Sequence, residues 1–456
     1  MYNLSHPQHG LTVTGHAKSL LALGLPLIGS QLAQFGLHVT DTVMLGWYGT
    51  LPLAAGVLGS SSFFVLFILG SGFAKAVMPM VASAEARGDE VQVRRVARMG
   101  LWLSILFGIL IYPLFWYSEP VLLALGQEPD VAALARDYLR LVGLGMIPAL
   151  MVMVLKNYLA ALERTQVQLW VTLAAVPING ILNWMLIFGN WGAPELGVTG
   201  SAIATLIVQI VTLLVICLYA GLLPSLRKYQ LFIRFWKPDW PGFAAVFRLG
   251  WPMGLTGLAE SGLFQASALM MGWIGTVELA AHGIALEITA LTFMVHVGLA
   301  NSVTVRTGRF HGAGNIADLR RGAAVAIALS LVFAGLTVLV FLTFPQPMIS
   351  VFIDPASTDR AAILAIGTVL LACAALFQLA DSMQVLALGM LAGVHDTKIP
   401  MVFAAISYWV IGFPASYALA FVFGYGATGI WLGLVVGLAA AAASLMARFW
   451  LRLPRA

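Results

Sequence analysis

The stretch GLPLIGSQLAQFGLHVTDTVMLGWYGTLPLAAG, residues 24–56, occurs a second time in altered form. Residues 250–282 read GWPMGLTGLAESGLFQASALMMGWIGTVELAAH, displaced by 250 − 24 = 226 positions. This displacement pairs Pro26 with Pro252, Gly36-Leu37 with Gly262-Leu263 and Met44 with Met270. It also pairs Gly46-Trp47 with Gly272-Trp273, Gly49-Thr50 with Gly275-Thr276, and Leu53-Ala54-Ala55 with Leu279-Ala280-Ala281. The register persists through Gly72/Gly298 and Gly88/Gly314 to Arg94-Arg95/Arg320-Arg321. An apolar composition does not by itself align Pro, Gly, Trp and Arg over this distance. The chain is therefore read as a duplication.

The repeated unit is a membrane unit. Of 456 residues, 60% are hydrophobic and only 9% charged, against about 25% charged in a soluble domain. Apolar runs of helix-spanning length predict twelve transmembrane helices, at 17–45, 51–82, 96–117, 136–160, 165–190, 197–222, 246–274, 278–305, 322–344, 362–391, 399–422 and 427–450. The predicted fold class is an all-α integral membrane protein. It has a six-helix lobe at 1–223, a basic linker at 224–240 and a second six-helix lobe at 241–456. An even number of helices per repeat inserts both halves the same way, an arrangement that implies transport between two bundles.

Loop charge gives the orientation. One set of loops carries Arg87, Arg94, Arg95, Arg98, Arg164, Arg227, Lys228, Arg234, Lys237, Arg306, Arg309, Arg320, Arg321 and Lys398. The opposite set carries only Arg136, Arg140 and Arg360 among eight acids. The positive-inside rule places the first set in the cytoplasm, with both termini; Arg448, Arg452 and Arg455 agree. The basic residues form no aromatic-interleaved stripe, so nucleic acid is set aside as a partner. Cys217 and Cys373 lie in apolar runs without metal or disulfide spacing.

Four carboxylates interrupt the predicted spans: Asp41, Glu260, Glu287 and Asp381. Each costs about 2.5–3.5 kcal/mol at a helix centre, a total on the order of 10 kcal/mol unless water, protons or cations relieve it. No Arg lies at their depth, and Lys75 sits towards the cytoplasmic end of its span. Such acids suit the capture and release of a proton or small cation. In the repeat Glu260 aligns with Gln34, and Asp41 with Ser267, so the halves keep charge in different places. Gln31, Gln34, His38 and Asp41 make one polar stripe on the first span, and Asn179 and Asn183 share a face of the fifth. Gln378 precedes Asp381 by three residues. An interhelical hydrogen bond would also account for each polar residue singly. For Glu260 and Asp381 a neutral amide would serve that purpose at lower cost.

At these residues the sequence resembles the MATE (multidrug and toxic compound extrusion) family, in its bacterial NorM-like branch. The matching stretches are VTDTVMLGWYG (39–49), VPINGILNWMLIFG (176–189), LGVTGSAIAT (196–205), GLAESGLFQ (257–265), AAHGIALEITALTFM (280–294) and FQLADSMQVLALGML (377–391). The resemblance covers about 15–450. It implies a V-shaped pair of six-helix lobes in the bacterial inner membrane, exporting organic, often cationic drugs and dyes in exchange for Na⁺ or H⁺. It implies cation coupling at Glu260 and Asp381, with Na⁺ as one candidate ion there, and at Asp41. An N-lobe polar cluster is implied around Asp41, Asn179 and Asn183, which the residue reading extends to Gln34 and His38, and helix bending at Pro26. Glu287 matches no functional position of the family and stands as an additional acid. No cofactor is expected, and the expected state is a monomer.

Other readings remain open. A lipid-linked oligosaccharide or polyprenyl-lipid flippase of related architecture would call for a basic cavity. A membrane enzyme would need a catalytic cluster at one depth, whereas His38, His282 and His296 are dispersed. GYGATG (424–429) fits GxGxxG but follows a span, and reads as a tight turn. SLRK (225–228) fits SxxK without its companion motifs.

Overall fold

The computed structural model describes residues 10–355 and 358–453, which form helices with no strand among them. The first half contains α1 (Val13–Tyr48), α2 (Thr50–Ala86), α3 (Glu90–Trp116), α4 (Pro129–Leu144), α5 (Met146–Ala161), α6 (Thr165–Phe188) and α7 (Val198–Leu222). The second contains α8 (Trp240–Ile274), α9 (Thr276–Gly312), α10 (Ile316–Thr343), α11 (Arg360–Gly393), α12 (Lys398–Val422) and α13 (Gly426–Arg452). Arg455, read with the basic C-terminus, lies outside the described residues.

Each predicted span falls on one of these helices, the fourth on the pair α4–α5. Among the described residues ten helices are long and apolar enough to cross a membrane, or eleven with α4–α5 taken as one span bent by 44°. The bend has a local cause. Pro148 has no N–H to offer the Leu144 carbonyl, and Gly145 gives the chain freedom at that turn. The remaining predicted span, the seventh at 246–274, lies on α8, which has 35 residues. Its length suffices, but Arg248, Glu260, Gln265 and its glycines dilute its apolar content. Helix α12 also departs from regular geometry, with widened π-helical turns at Ile406–Gly412 and Ala418–Val422.

The duplication is visible in helix boundaries. Helices α2 and α9 start at Thr50 and Thr276 and end at Ala86 and Gly312, both pairs 226 apart. The following turns match as well. Asp89 and Asn315 cap α3 and α10, accepting from the backbone N–H of Gln92 and Asp318. Gly88 and Gly314, with φ of +71° and +69°, occupy the left-handed region that side chains disfavour.

The chain divides into two compact units. One is Gly29–Gly254; the other comprises the described residues of Met1–Ile28 and Leu255–Ala456. The divisions fall inside α1 and α8, at the paired prolines' neighbourhoods, because the start of each helix packs on the other repeat's second helix. In the Gly29–Gly254 unit, α8 crosses α2 so closely that a Cβ at Gly72 would lie 2.3 Å from the Gly254 nitrogen. In the other unit, a Cβ at Gly298 would lie 2.7 Å from the Ile28 Cα, and Ser302 Oγ donates to the Leu20 carbonyl at 2.9 Å. Small residues at helix crossings allow this approach, which matters in lipid because dispersion and hydrogen bonding hold helices together there. The same device joins α12 and α13 through Gly429, Gly433 and Gly437, set against Ala420, Ser416 and Gly412.

Residues of the basic linker dock on α3. Arg98 Nε donates to the Leu231 carbonyl at 2.8 Å, and Trp102 Nε1 to the Phe235 carbonyl at 2.9 Å. Arg95 holds Asp239 with two hydrogen bonds, one of 2.9 Å from its NH2. The Arg95 guanidinium keeps the Asp239 carboxyl below the usual carboxylate range. A depressed folded-state value stabilises above the unfolded value, about 3.9, and that contribution is lost as pH falls through the folded value. Partial exposure limits it to about 1 kcal/mol or less. Chemical unfolding of wild type and Asp239→Asn should therefore show a gap at pH 7 that closes below about pH 4. A gap independent of pH would contradict this.

Candidate functional site

Most of the sequence-predicted polar residues gather into two centres, one in each unit; Gln34 and Glu287 do not. In the Gly29–Gly254 unit the centre is Asp41, half-buried on α1. Asn183 Nδ2 of α6 donates to Asp41 Oδ1 at 2.6 Å and to Asn179 Oδ1 at 3.2 Å. The four-residue spacing of the two amides therefore does face the acid. Thr205 Oγ1 of α7 completes the set, donating to Asp41 Oδ2 at 3.3 Å. Sequence reading missed Thr205 as a participant, although it ends the quoted LGVTGSAIAT stretch. His38, exposed, lines with Asp41, Ser60 and Tyr138 a cavity of about 20 Å³, room for a single water. Gln34 is exposed, and among the described residues no hydrogen bond joins it to this cluster.

A second polar group in this unit escaped sequence reading. Lys156 Nζ of α5 donates to Thr172 Oγ1 of α6 at 2.8 Å, and Ser30 Oγ of α1 lies 3.1 Å from the same oxygen. One lysine in an apolar helix gives no periodic signal.

The other centre is built on α11. Asp381 is 1% exposed, and its Oδ1 is buried without a hydrogen-bond partner among the described residues. Gln378 and Gln384 lie three residues to either side, and each uses its amide N–H: Gln378 towards Thr292 Oγ1, Gln384 towards the Tyr408 hydroxyl at 2.7 Å. Their carbonyl oxygens are likewise buried without a donor. Three acceptors thus remain on one side of α11. Glu260 of α8 lies within electrostatic reach of both Asp381 and the Tyr408 hydroxyl. Tyr408 comes from the π-helical stretch of α12, a type of irregularity common at functional sites. Buried acceptors without donors are costly. Two carboxylates near one another add repulsion that a cation or proton relieves.

Nothing ties Glu287 to this pair: it is half-buried on α9 without a hydrogen bond or ion pair among the described residues. His282, five residues earlier on α9, is buried and accepts at Nδ1 from Trp431 Nε1 at 3.0 Å, with Nε2 facing Ser267 Oγ at 3.5 Å. Ser267, the repeat counterpart of Asp41, therefore takes part in a neutral contact. Pro26 lies inside α1, which runs without interruption from Val13 to Tyr48.

A family model described as MatE matches residues 26–185 and 252–418, well over half of the chain. The chain belongs to the MatE family. Its two matched blocks begin 252 − 26 = 226 residues apart, the spacing of the internal repeat. The chain is 46% identical to "Probable multidrug resistance protein NorM" of Rhizobium meliloti (strain 1021), over 96% of this chain and 94% of that one. It is 42% identical to the protein of the same name from Agrobacterium fabrum, over 96% and 95%. Among solved structures, "Outward-facing conformation of a multidrug resistance MATE family transporter of the MOP superfamily" superposes with a TM-score of 0.87 at 20% identity, each chain covered to 96%. The eukaryotic MATE transporter AtDTX14 gives 0.86 at 20%, with the same coverage. These likenesses show the fold. The MatE chain is a multi-pass membrane transporter and not an enzyme.

Proposed function

We propose that this chain is a multidrug efflux antiporter of the bacterial inner membrane. It exports organic, often cationic, compounds in exchange for inward Na⁺ or H⁺. The observation that carries this reading is buried Asp381, whose Oδ1 and the carbonyl oxygens of Gln378 and Gln384 have no donor among the described residues, with Glu260 within electrostatic reach. The names of the NorM relatives support drug export as the direction of use. The lobes at 1–223 and 241–456 follow the repeat, and the loop charges put both termini in the cytoplasm.

The chemistry is competition for charge. Ionised Glu260 and Asp381 favour a cationic drug on the inner side. On the outer side, Na⁺ at Asp381 Oδ1 and the glutamine carbonyls, or H⁺ on a carboxylate, cancels that attraction and releases the drug. Asp41, held by Asn183 and Thr205, offers a second place for a cation. The protein works as a monomer, each chain carrying both centres.

Proteoliposomes test this reading. Efflux of a fluorescent cationic dye should follow an imposed Na⁺ gradient or an imposed pH gradient. Dye retention under both gradients, with folded protein, would reject the antiporter and favour lipid flipping.

A further inference from the structure

A basic cleft at one membrane end of α12 and α13 has no place in the transport scheme. Its volume is about 550 Å³, and it is lined by Phe403 of α12 with Ser444, Ala447, Arg448, Leu451 and Arg452 of α13. The lining on α13 is striped. Ser444, Arg448 and Arg452 recur every four residues on one line, and Ala447 and Leu451 on the next. One wall is therefore polar and cationic and the other apolar. Leu451, 86% exposed, carries the apolar line to the surface.

Among the described residues, charge in the cleft is incompletely balanced. Arg448 Nε and Arg452 NH1 both approach the same oxygen, Asp396 Oδ2, each at 2.7 Å. Asp396 itself is 7% exposed, so its carboxylate is committed to them. Two guanidiniums against one carboxylate leave one positive charge. The Arg448 and Arg452 side chains remain 29% and 46% exposed, so donors still face the cleft. Lys398, at the adjoining end of α12, is exposed.

We propose that this cleft binds an anionic phospholipid, its phosphodiester on Arg452 and Arg448 and the start of an acyl chain along Phe403, Ala447 and Leu451. One phosphodiester carries the single negative charge that completes the Arg–Asp–Arg set. Basic pockets between helix ends at a membrane surface hold such headgroups by the same balance, and guanidinium matches phosphate geometry. A headgroup of net negative charge fits better than one bearing its own ammonium, which would meet Lys398. The apolar wall calls for a lipid instead of free phosphate.

Native mass spectrometry of the full chain in detergent, with equal phosphatidylglycerol and phosphatidylcholine added, tests this. Wild type should retain phosphatidylglycerol preferentially. Arg452→Gln, which leaves the Arg448–Asp396 pair intact, should lower that preference about fivefold, the effect of one basic group at an anionic surface. Leu451→Asp, at an exposed position, should lower it as well. Arg227→Gln, the same charge change on an exposed part of the linker, should leave it unaltered. Glycerol 3-phosphate should not displace the lipid. Equal retention of the two lipids, an unchanged preference in Arg452→Gln, or an equal loss in Arg227→Gln would each overturn the proposal. Displacement by glycerol 3-phosphate would replace the lipid with a soluble phosphate.

Discussion

Glu260→Gln and Asp381→Asn should each reach the membrane at normal levels and fail to build a dye gradient. Neither change alters side-chain volume, and each replaces a costly carboxylate in the membrane by a cheaper amide, so insertion and folding should not suffer. Under the proposed mechanism, cation capture is what they remove. For each charge no longer carried through 100 mV, the lost driving force is about 2.3 kcal/mol, or roughly fifty-fold in the concentration ratio sustained. The double substitution should cost little more than either single one, because in the proposed scheme the two acids act as a unit around one cation and such effects do not add. Dye accumulation in inverted vesicles, normalised to protein amount, reads this directly. Wild-type accumulation by both single variants would remove Glu260 and Asp381 from the coupling site. Glu287→Gln is the internal comparison: with nothing tying it to the pair, it should retain most accumulation.

A methyl group at Gly72 or Gly298 should disrupt the protein more than any surface change. At Gly72 the new Cβ would stand 2.3 Å from the Gly254 nitrogen and 2.4 Å from the Gly250 oxygen. At Gly298 it would meet the Ile28 nitrogen and Cα, each at 2.7 Å. These are backbone atoms, which cannot rotate away, so the helices themselves must separate. Overpacking costs about 1–3 kcal/mol even where side chains can yield, and here about 3 kcal/mol or more is expected. Thermal unfolding in detergent should show a large loss for Gly72→Ala and Gly298→Ala. Gly283→Ala, where an added Cβ meets nothing within 4 Å, should be neutral or slightly stabilising, since alanine is the better helix former. Wild-type stability for Gly72→Ala would refute the close crossing of α2 and α8.

The two glycines also illustrate what could be read in advance. Their register at 226 residues was plain in the sequence, and so were the duplication, the predicted helices and the acids. Asn179 and Asn183 were legible as one helix face because four-residue spacing fixes that geometry. Their contact with Asp41 joined residues 142 apart, which no periodicity reveals. Thr205, Gln384, Tyr408 and Lys156 stayed hidden for the same reason: each is a single polar residue whose partner comes from another helix. The π-helical turns that carry Tyr408 leave no composition signature. The exchange of helix starts between repeats was also invisible, since it depends on which crossing the glycines permit and not on where apolar runs begin. Gln34 shows the opposite limit of a stripe reading. It lies on the first span's polar stripe with His38 and Asp41, yet among the described residues no hydrogen bond connects it to their cluster.

The most direct test of the central claim follows the ion instead of the drug. Proteoliposomes are loaded with a cationic dye, without any imposed ion gradient, and internal Na⁺ and pH are recorded as the dye leaves. Exchange requires that outward dye movement draw a cation inward, so internal Na⁺ should rise or internal pH should fall in step with efflux, and neither should change with Glu260→Gln. Dye leaving the wild-type vesicles with both readings flat would contradict cation-coupled antiport.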